Sequence, residues 1–467
     1  MNQYDLIIIG SGPGGYVAAI RSAQLGFKTV VIENRDIGGT CLNRGCIPTK
    51  ALMHSTELLR EMRESELFGV HAENINFDFG KIHKRKSEIS KRLCEGVEQL
   101  LIANKIDLIR GTAKIVAEHS VQVSSTDSER IVTGDRILIA TGSVPAKPPI
   151  PGLDLSGVFT SDDLLQDMNH VFKSLVIIGG GVIGMEFASI YNALGCQVTV
   201  IEAMDRVIPN MDKEFAQNLG MILKRKGIKI LTGCKVSEVI SNESELCVNY
   251  ISKDRPESAR AEAVLCAIGR RPNIVGLFGD RVSLNMERGF IVVDEHFETS
   301  MKDVFAIGDV SSRIQLAHVA SAQGSAAVEM MAGKEPTVNV TATPGCVYTS
   351  PEIASVGMSA DEAMVAGRAV KTGKYVMYSN GKTMIKNGER GFIKIVADAE
   401  TEAVLGAQIM CERASDMISE LTTAVVNGLT VEQMLKVMRP HPTFNEGITE
   451  ALEAVGGKSI HIMPARS

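Results

Sequence analysis

Two glycine-rich loops, each placed between a strand pattern and a helix pattern, limit this chain to a small group of folds. They read GSGPGG at 10–15 and GGGVIG at 179–184. An acidic residue ends the next apolar run at the same distance from each loop, Glu33 after the first and Glu202 after the second. A strand, a glycine loop, a helix and a second strand with a terminal acid form the βαβ unit that binds dinucleotides. The sequence therefore predicts two dinucleotide-binding units.

The spacing of the glycines indicates how each loop would hold a phosphate. Gly10 permits the tight turn after the strand, Gly12 lets a pyrophosphate approach the backbone, and Gly15 lets the helix pack closely on the sheet. The helix N-terminus adds unpaired N–H groups and a positive dipole. A carboxylate at Glu202 would accept from a free 2′-hydroxyl and repel a 2′-phosphate, which favours NAD over NADP. The alternative is that Glu202 is only a solvated strand end.

Two dinucleotides suit a flavin and a nicotinamide that pass a hydride between them. The patterns along the chain predict an α/β protein with two Rossmann-like dinucleotide-binding domains, followed by a C-terminal region of mixed α+β type. The predicted elements are strand 4–10, helix 14–25, strand 29–33, a charged helical stretch at 50–104, a β-rich stretch at 106–145, a Pro-rich linker at 145–152, strand 175–179, helix 182–194, strand 197–202, strands 391–397 and 403–411, and helices 414–427 and 430–437.

Composition and charge argue against several other classes of protein. The 467 residues carry 49 Lys and Arg against 55 Asp and Glu, a net charge of −6, which argues against nucleic acid or an anionic membrane as the main partner. No apolar run reaches the ~18 residues of a membrane span. The N-terminal MNQYD lacks the basic region of a signal peptide and precedes only a short apolar run, so we expect a cytoplasmic protein.

Cys41 and Cys46 stand out among nine scattered cysteines, an odd number that does not suggest a secreted disulfide framework. In a regular helix, residues five apart point about 140° apart around the axis, which is too far for a disulfide. Gly45 and Pro48 allow a distorted turn, in which the pair would form a strained, reducible disulfide beside a nucleotide site. Two unrelated buried thiols are the alternative, because this spacing is not a standard redox or zinc spacing.

The segment 38–50, GGTCLNRGCIPTK, closely resembles the redox-active segment of the flavin-dependent pyridine nucleotide–disulfide oxidoreductases. Within it, CIPTK is most similar to the members of that family that oxidise dihydrolipoamide. The resemblance covers essentially the whole chain. It includes ATGS at 140–143, AIGRRPN at 267–273, VFAIGD at 304–309, YTSPE at 348–352 with Gly357, and HPTFNE at 441–446.

This resemblance implies FAD and NAD as cofactors and assigns roles to individual residues. Cys46 would be the thiol that faces the flavin, and Cys41 the interchange thiol that meets the substrate. Lys50 and Glu186 would pair near the reactive flavin nitrogen. The implied FAD-binding residues are Gly10, Gly12, Gly14, Gly15, Glu33, Gly39, Thr40, Lys50, Ala113, Thr141, Gly142, Ser143, Asp309 and Ala317. The implied NAD-binding residues are Gly179, Gly181, Val182, Ile183, Gly184, Glu186, Glu202, Val236 and Gly269.

A histidine near the C-terminus is the candidate acid–base group. A dithiol must lose protons before it attacks a disulfide, and an imidazole with a pKa of about 6.5 suits that task at neutral pH. Taken alone, His441 between two prolines would be a structural turn. With the resemblance it becomes the acid–base residue, and Glu446 the carboxylate that fixes its tautomer. The family's histidine comes from the other subunit, which implies a homodimer.

The resemblance implies four domains: an FAD-binding domain with the redox disulfide (1–147), an NAD-binding domain (148–270), a central domain that completes the FAD site (271–342) and an interface or dimerisation domain (343–467). It implies that the chain oxidises protein-bound dihydrolipoamide to lipoamide and passes hydride to NAD⁺. The partner would be a lipoyl-carrying subunit of a 2-oxo acid dehydrogenase complex or a glycine cleavage system. The alternatives are a glutathione- or mercuric-type disulfide reductase and a non-catalytic flavin redox sensor.

A few residues depart from the family pattern. Arg44 stands where a small apolar residue is common, Thr49 where Ser is usual, Ala113 where Gly is common, and Arg439 where His is frequent. Arg44 and Arg439 would add positive charge near the thiols or near the lipoyl entrance. The alternative is surface variation without consequence.

Overall fold

A computed structural model describes residues 3–463, except Asp127, Asp167, Asn169, Glu243 and Ser244. The helices are α1 (Pro13–Gln24), α2 (Gly39–Arg44), α3 (Cys46–Glu64), α4 (Phe79–Ala103), α5 (Ser161–Leu164), α6 (Val182–Ala193), α7 (Lys213–Arg225), α8 (Ala317–Met331), α9 (Ala360–Val365), α10 (Gly381–Ile385), α11 (Ala414–Val426), α12 (Val431–Leu435) and α13 (Glu446–Val455). Short 3₁₀ helices lie at Ser65–Phe68, Gly308–Val310 and Met377–Ser379.

The strands alternate with helices in the first half of the chain and cluster in the second. They are β1 (Tyr4–Ile9), β2 (Thr29–Glu33), β3 (Asp107–Arg110), β4 (Thr112–Ala117), β5 (Ser120–Ser124), β6 (Glu129–Ile139), β7 (Ser143–Pro145), β8 (Val158–Thr160), β9 (Ser174–Ile178), β10 (Gln197–Glu202), β11 (Lys229–Thr232), β12 (Cys234–Asn242), β13 (Glu245–Ser252), β14 (Arg255–Ala261), β15 (Ala263–Cys266), β16 (Arg270–Pro272), β17 (Met286–Glu287), β18 (Phe290–Ile291), β19 (Val304–Ala306), β20 (Gly345–Val347), β21 (Glu352–Gly357), β22 (Val370–Val376), β23 (Phe392–Asp398) and β24 (Val404–Cys411).

The chain forms two compact units, each built from two stretches of sequence. Unit 1 comprises the chain up to Phe172 together with Leu265–Val340. Unit 2 comprises Lys173–Val264 together with the chain from Thr341 onward. In the described part of the chain, no helix is long and apolar enough to cross a membrane.

Unit 1 is organised around a sheet whose strand order is β3-β2-β1-β6-β5-β4, with β19 also paired to β6. Strands β1, β2, β3 and β19 run parallel to their neighbours, whereas β4 and β5 form antiparallel pairs. The apolar residues of β1 are buried on both faces: one face packs on α1, α4 and α8, and the other on β4 and β5. A parallel strand covered on both faces reads as a continuous apolar run, which is why the sequence pattern identified it.

Unit 2 contains a second α/β sheet and a separate antiparallel sheet. The first has the strand order β11-β10-β9-β15, and a three-stranded meander, β12-β13-β14, follows β11. The C-terminal stretch forms a five-stranded sheet in the order β20-β21-β24-β23-β22. Helices α11 and α13 cover this sheet and share one apolar core with it. The expected fold class, two Rossmann-like units and a C-terminal α+β region, is confirmed.

Most predicted elements are present, and the differences have local causes. The strands predicted at 29–33 and 197–202 match β2 and β10. The predicted helical stretch at 50–104 is interrupted, because Gly69, with φ of 71°, follows the 3₁₀ turn that ends α3. Helices α5, α7–α10 and α13 and strands β8 and β11–β22 were not predicted. Helix α13 buries Glu450 together with its apolar residues Ile448, Ala451 and Leu452.

Candidate active site

The first glycine loop joins β1 to α1 and is held by the acid at the end of β2. Gly10 has φ of 101°, in the left-handed region that favours glycine. A Cβ on Gly15 would lie 1.9 Å from the carbonyl oxygen of Gly10, so only glycine lets the helix pack this close. The Glu33 carboxylate accepts from the N–H of Ser11 at 2.8 Å and from its hydroxyl at 2.7 Å. Glu33, the acid predicted at the end of the second strand, therefore also closes the loop.

The second loop, between β9 and α6, repeats this construction. Gly179 has φ of 107°, and a Cβ on Gly184 would lie 2.0 Å from the Gly179 carbonyl oxygen. The Glu202 carboxylate accepts from the N–H groups of Gly180 at 2.6 Å and Met204 at 2.7 Å. Only 8% of Glu202 is exposed, so the alternative of a solvated strand end is wrong.

Both loops leave space beside their middle glycine. A Cβ on Gly181 would meet nothing within 4 Å, and one on Gly12 would meet only the Cα of Gly39 at 3.9 Å. Gly14 lies in the first turn of α1, and Val182 and Ile183 open α6. Among the described residues, no side chain caps either helix N-terminus. Unpaired N–H groups beside an open backbone fit the phosphates of a dinucleotide.

Cys41 and Cys46 lie on two helices rather than one. Helix α2 ends at Arg44 and α3 begins at Cys46, because Gly45 takes a non-helical conformation with φ of −149° and ψ of −113°. The two cysteines are in the thiol state, without a disulfide between them, and their side chains are hydrogen-bonded to each other. The predicted distortion at Gly45 is confirmed, and the two cysteines are not unrelated buried thiols.

The two thiols have different electrostatic surroundings. The hydrogen bond with Cys46, burial and the charge of Cys46 raise the pKa of Cys41 well above its usual range, and the charge of Lys50 offsets part of this. The raised pKa favours the protonated form of the Cys41 thiol. Cys46 is the first residue of α3, where unpaired N–H groups and the helix dipole stabilise a thiolate.

Helix α2, which carries Cys41, begins directly at the first glycine loop. Gly39 has φ of 57°, and a Cβ on it would lie 2.7 Å from the Cα of Gly12. The N–H of Gly38 donates to the carbonyl of Ser11 at 3.0 Å. Thr40 follows in the first turn of α2. This contact places the redox cysteines beside the predicted pyrophosphate site.

Asp309 is held by a hydrogen-bonded chain within unit 1. The Ser143 hydroxyl donates to the Asp309 carboxylate at 2.5 Å, and Arg270 Nε donates to the Ser143 hydroxyl at 2.8 Å. Burial raises the pKa of Asp309, and Ser143 and Arg270 counter part of that rise. Nearby in the sequence, the buried Thr141 hydroxyl has no hydrogen-bond partner among the described residues. An orphaned hydroxyl in this segment fits a polar cofactor group.

The other residues expected at the FAD site are spread over unit 1. Ala317 opens α8, Gly142 has φ of 68° after β6, and Lys50 lies in α3. Ala113 lies in β4 with its side chain in the apolar core, so only its backbone is available to a ligand.

The residues expected near the nicotinamide divide between the units. In unit 2, Glu186 of α6 is buried and accepts from the N–H of Tyr348 at 3.2 Å, and Val236 lies buried in β12. Gly269, with φ of 122°, and Lys50 belong to unit 1. The Lys50–Glu186 pair and a shared Val236–Gly269 surface stay predictions.

His441 and Glu446 form a hydrogen-bonded pair at the start of α13. The distance from His441 Nδ1 to Glu446 Oε1 is 2.8 Å, and the N–H of Thr443 donates to Glu446 Oε2 at 2.8 Å. Burial acts to raise the pKa of Glu446, but the hydrogen bonds from Thr443 and His441 outweigh it and lower that pKa. An ionised carboxylate on Nδ1 fixes the tautomer and leaves Nε2 to take a proton. The His441 side chain is 77% exposed in the single chain.

Arg439 is a buried structural residue. Its side chain is 3% exposed, forms an ion pair with Glu420, and donates to the Thr449 hydroxyl at 2.9 Å. Asn445 also donates to Glu420, at 3.2 Å. Arg439 thus fixes the segment that carries His441. The alternative of surface variation without consequence is wrong for this residue.

Sequence reasoning assigned no role to several residues that build the site. Asn43 Nδ2 donates to the carbonyls of Ile37 and Gly39, both at 2.9 Å, and so connects helix α2 to the preceding turn. Ser11 donates to the Glu33 carboxylate, and Arg270 donates to Ser143, which in turn donates to Asp309. Asn43 and Arg270 lie within segments that carry the family resemblance, which is the signal that marks them.

Comparison with known proteins gives a consistent result over the whole chain. A family model described as "Pyridine nucleotide-disulphide oxidoreductase" matches residues 4–324, and its "dimerisation domain" model matches residues 343–452. The chain is 40% identical to a dihydrolipoyl dehydrogenase of Bacillus subtilis, over 98% of this chain and 99% of the relative. It is 39% identical to a dihydrolipoyl dehydrogenase of Thermus scotoductus, over 99% of this chain and 100% of the relative.

Solved structures show the same fold at lower identity. LpdA from Mycobacterium tuberculosis superposes with a TM-score of 0.89 at 27% identity, covering 96% of this chain and 99% of that chain. The Cu(II) complex of an HOCl-induced flavoprotein disulfide reductase from Escherichia coli superposes with a TM-score of 0.87 at 28% identity, covering 97% and 99%.

Proposed function

The chain belongs to the pyridine nucleotide-disulphide oxidoreductase family, and we propose that it oxidises protein-bound dihydrolipoamide with Cys41, Cys46 and His441 as its reacting residues. It is an FAD-dependent, NAD-linked oxidoreductase whose full-length relatives are dihydrolipoyl dehydrogenases. The observation that supports the residue roles best is the pair of thiols in contact across the Gly45 break, in a chain that also carries a carboxylate-bound histidine.

The first half of the proposed reaction is thiol–disulfide exchange. His441 Nε2 removes a proton from dihydrolipoamide, and the thiolate attacks the Cys41 sulfur of the Cys41–Cys46 disulfide. Cys46 leaves as a thiolate, which the N-terminus of α3 stabilises. The second substrate thiol then displaces Cys41, its proton passes to the Cys41 sulfur, and the lipoyl ring closes. The substrate loses two electrons, and the two cysteines gain them.

The second half regenerates the disulfide. Bound FAD supplies the route by which two electrons leave the cysteines and reach NAD⁺ as hydride. Cys46 presents its thiolate while Cys41 keeps the remaining proton, in accordance with the raised pKa of Cys41. The Glu446 carboxylate stabilises the imidazolium of His441 until its proton is released.

NAD⁺ rather than NADP⁺ is the proposed acceptor. The Glu202 carboxylate ends β10 beside the second glycine loop and already accepts from two backbone N–H groups. A 2′-phosphate at this position would face a buried negative charge, whereas a free 2′-hydroxyl would donate to it.

The chain contains a region of the family's dimerisation type. We propose that His441 of one subunit serves the cysteines of the other, and that the lipoyl group arrives on a subunit of a 2-oxo acid dehydrogenase complex or a glycine cleavage system. The exposure of His441 in the single chain is consistent with a site that a second subunit completes.

The test measures NADH formation by the purified yellow protein from dihydrolipoamide and NAD⁺, with NADP⁺ and reduced glutathione in parallel. We expect rapid NADH formation that depends on NAD⁺ and is lost in Cys46→Ser and His441→Gln. If NADH reduces another disulfide and dihydrolipoamide gives no turnover, that disulfide is the substrate and the proposed assignment of dihydrolipoamide is wrong. Binding of FAD without any turnover would support the redox sensor instead.

A further inference from the structure

Arg44 is the last residue of α2 and stands between the two cysteines in the sequence, yet the proposed reaction gives it no task. Its Nη1 donates to Asp36 Oδ2 at 2.5 Å. Its Nε lies 3.8 Å from Asp162 Oδ2, on the short helix α5. Only 13% of the Arg44 side chain is exposed. An arginine this enclosed is held in a defined position and is not a solvated surface charge.

The Arg44–Asp36 contact closes the segment that carries Cys41. Asp36 lies before the turn at Gly38, and Arg44 lies at the end of the helix that this turn begins. The carbonyl of Asp36 also accepts from the N–H of Gly39 at 3.1 Å. The segment 36–44 is therefore fastened at both ends immediately before the break at Gly45.

Asp162 links Arg44 to a second arginine. Arg270 Nη1 lies 3.5 Å from Asp162 Oδ1, and Arg270 also donates to Ser143, the residue that holds Asp309. Asp162 is 16% exposed and Arg270 12%. Neither Arg44 Nε nor Asp162 Oδ1 has a hydrogen-bond partner among the described residues. Because the three side chains are mostly buried, their charges are screened less than charges in water.

The four groups balance when all are ionised. Asp36 and Asp162 carry two negative charges, and Arg44 and Arg270 carry two positive charges. Removing the charge of Arg44 makes the surroundings of Cys41 and Cys46 more negative by one charge, and removing that of Asp162 makes them more positive by one charge. Reduction of the disulfide creates a thiolate at Cys46, two residues after Arg44, so its cost depends on the sign of the local charge.

We propose that Arg44 is a positioning residue that sets how readily the Cys41–Cys46 disulfide is reduced, by fastening the end of α2 and by neutralising the Asp36 and Asp162 carboxylates. The inference rests on the proposed role of the two cysteines but not on the identity of the dithiol substrate. It gives a role to a residue that departs from the family pattern.

The test equilibrates the holoenzyme at neutral pH with mixtures of reduced and oxidised dithiothreitol. The dithiol transfers two electrons to the enzyme disulfide and becomes a cyclic disulfide. Rapid alkylation and mass spectrometry then count the labelled Cys41 and Cys46. For Arg44→Met we expect half-reduction to need roughly threefold to tenfold more reduced over oxidised dithiothreitol. For Asp162→Asn we expect a shift in the opposite direction.

The double variant R44M/D162N restores the charge balance, so its midpoint should lie between those of the single variants. Arg85→Met, an exposed residue of α4, removes one positive charge from the same unit and serves as the control. Thermal unfolding of each variant checks that the fold is intact. Arg35 and Lys86, which line the groove beside Arg44, are unchanged in every variant.

Single variants that shift in the same direction, or that both match the native midpoint, would overturn this role for Arg44. A merely structural role predicts lower thermal stability in both variants without opposite shifts. If the native protein never forms a Cys41–Cys46 disulfide in this titration, the proposed redox centre fails, and that result is distinct from an intact centre insensitive to Arg44.

Discussion

A single carboxylate, Glu446, determines which nitrogen of His441 is available for chemistry. It holds Nδ1 at 2.8 Å and is itself held by the N–H of Thr443. These contacts lower its pKa against the effect of burial, so the group stays ionised at neutral pH. The resulting Nε2 acceptor is the form that a general base needs.

Replacement of Glu446 by Gln should keep the shape of this pair and remove its charge. We expect kcat for NADH formation from dihydrolipoamide to fall about 100-fold, because the imidazolium loses its counter-ion and the tautomer is no longer fixed. FAD content should be unchanged. Glu432→Gln, at an exposed residue of α12, is the matched control. A rate within about twofold of the native value would remove Glu446 from the proposed mechanism.

At the scale of elements, the two nucleotide loops depend on the same close contact between a helix and a turn. In each, the last glycine has no room for a Cβ, since the contact with the first glycine's carbonyl would be about 2 Å. The resulting proximity brings the unpaired N–H groups of α1 and α6 to the strand ends, where a phosphate can reach them.

Alanine at Gly15 and alanine at Gly184 should therefore affect different cofactors. We expect Gly15→Ala to lose FAD, measured as flavin absorbance after purification, because the first loop can no longer close against α1. Gly184→Ala should keep its flavin and lose NAD⁺ reduction. Gly96→Ala is the control, because Gly96 lies in α4 without a positive φ and an added Cβ there has no neighbour within 4 Å. Loss of flavin in the Gly184 variant would contradict the assignment of the loops.

An ion pair fastens α1 to α8 within unit 1. Arg21 Nη2 lies 2.6 Å from the Glu329 carboxylate, which also accepts from the N–H of Thr337 at 2.7 Å and from its hydroxyl at 3.0 Å. Burial acts to raise the pKa of Glu329, but these partners together lower it. A carboxyl whose pKa is lower in the folded state stabilises the fold above the unfolded pKa.

Glu329→Gln should cost about 1–3 kcal/mol of unfolding free energy at neutral pH. The stabilisation by the native carboxylate is complete above its unfolded pKa of about 4.5. It is lost as the pH falls through the lower pKa of the folded state. Urea unfolding at neutral pH and at acidic pH should therefore show a difference between native and variant that shrinks toward acid. Glu335→Gln, nearby and exposed, is the control. A difference that grows toward acid would contradict the lowered pKa.

At the scale of the whole molecule, the proposal is that two subunits complete the site. The cysteine pair lies in unit 1 and the His441–Glu446 pair in unit 2, within the region of dimerisation type. The resemblance to the family implies that each histidine acts on the cysteines of the other subunit.

Co-expression of two inactive subunits tests this arrangement. Subunits with Cys46→Ser and subunits with His441→Gln should each be inactive as homodimers. In a mixed dimer, one site combines an intact cysteine pair with an intact His441 from the partner. With random pairing, about a quarter of the native activity should return. Activity no higher than that of the separate variants, in a preparation shown to contain mixed dimers, would place cysteines and histidine in the same subunit.

Local patterns in the sequence were sufficient for much of the fold. The first βαβ unit is contiguous in the chain, and its strands are apolar because both faces are covered. The glycine loops, the distorted turn at Gly45 and the spacing of His441 and Glu446 are also local. Strands β20 and β22 were missed, because β20 has three residues and β22 is largely exposed, so neither gives a clear period.

The sequence by itself determined two glycine loops, and its resemblance to a family indicated the cysteine pair and the carboxylate for the histidine, because each is a short segment whose chemistry depends on near neighbours. Tertiary structure alone decided which distant groups meet them. Ser143 and Asp309 are 166 residues apart, and Arg21 and Glu329 are 308 apart. Such contacts depend on how strands and helices pack within a unit, and no local period records them. The same packing gives Arg44 its two carboxylate partners and so makes it part of the cysteine segment's electrostatics.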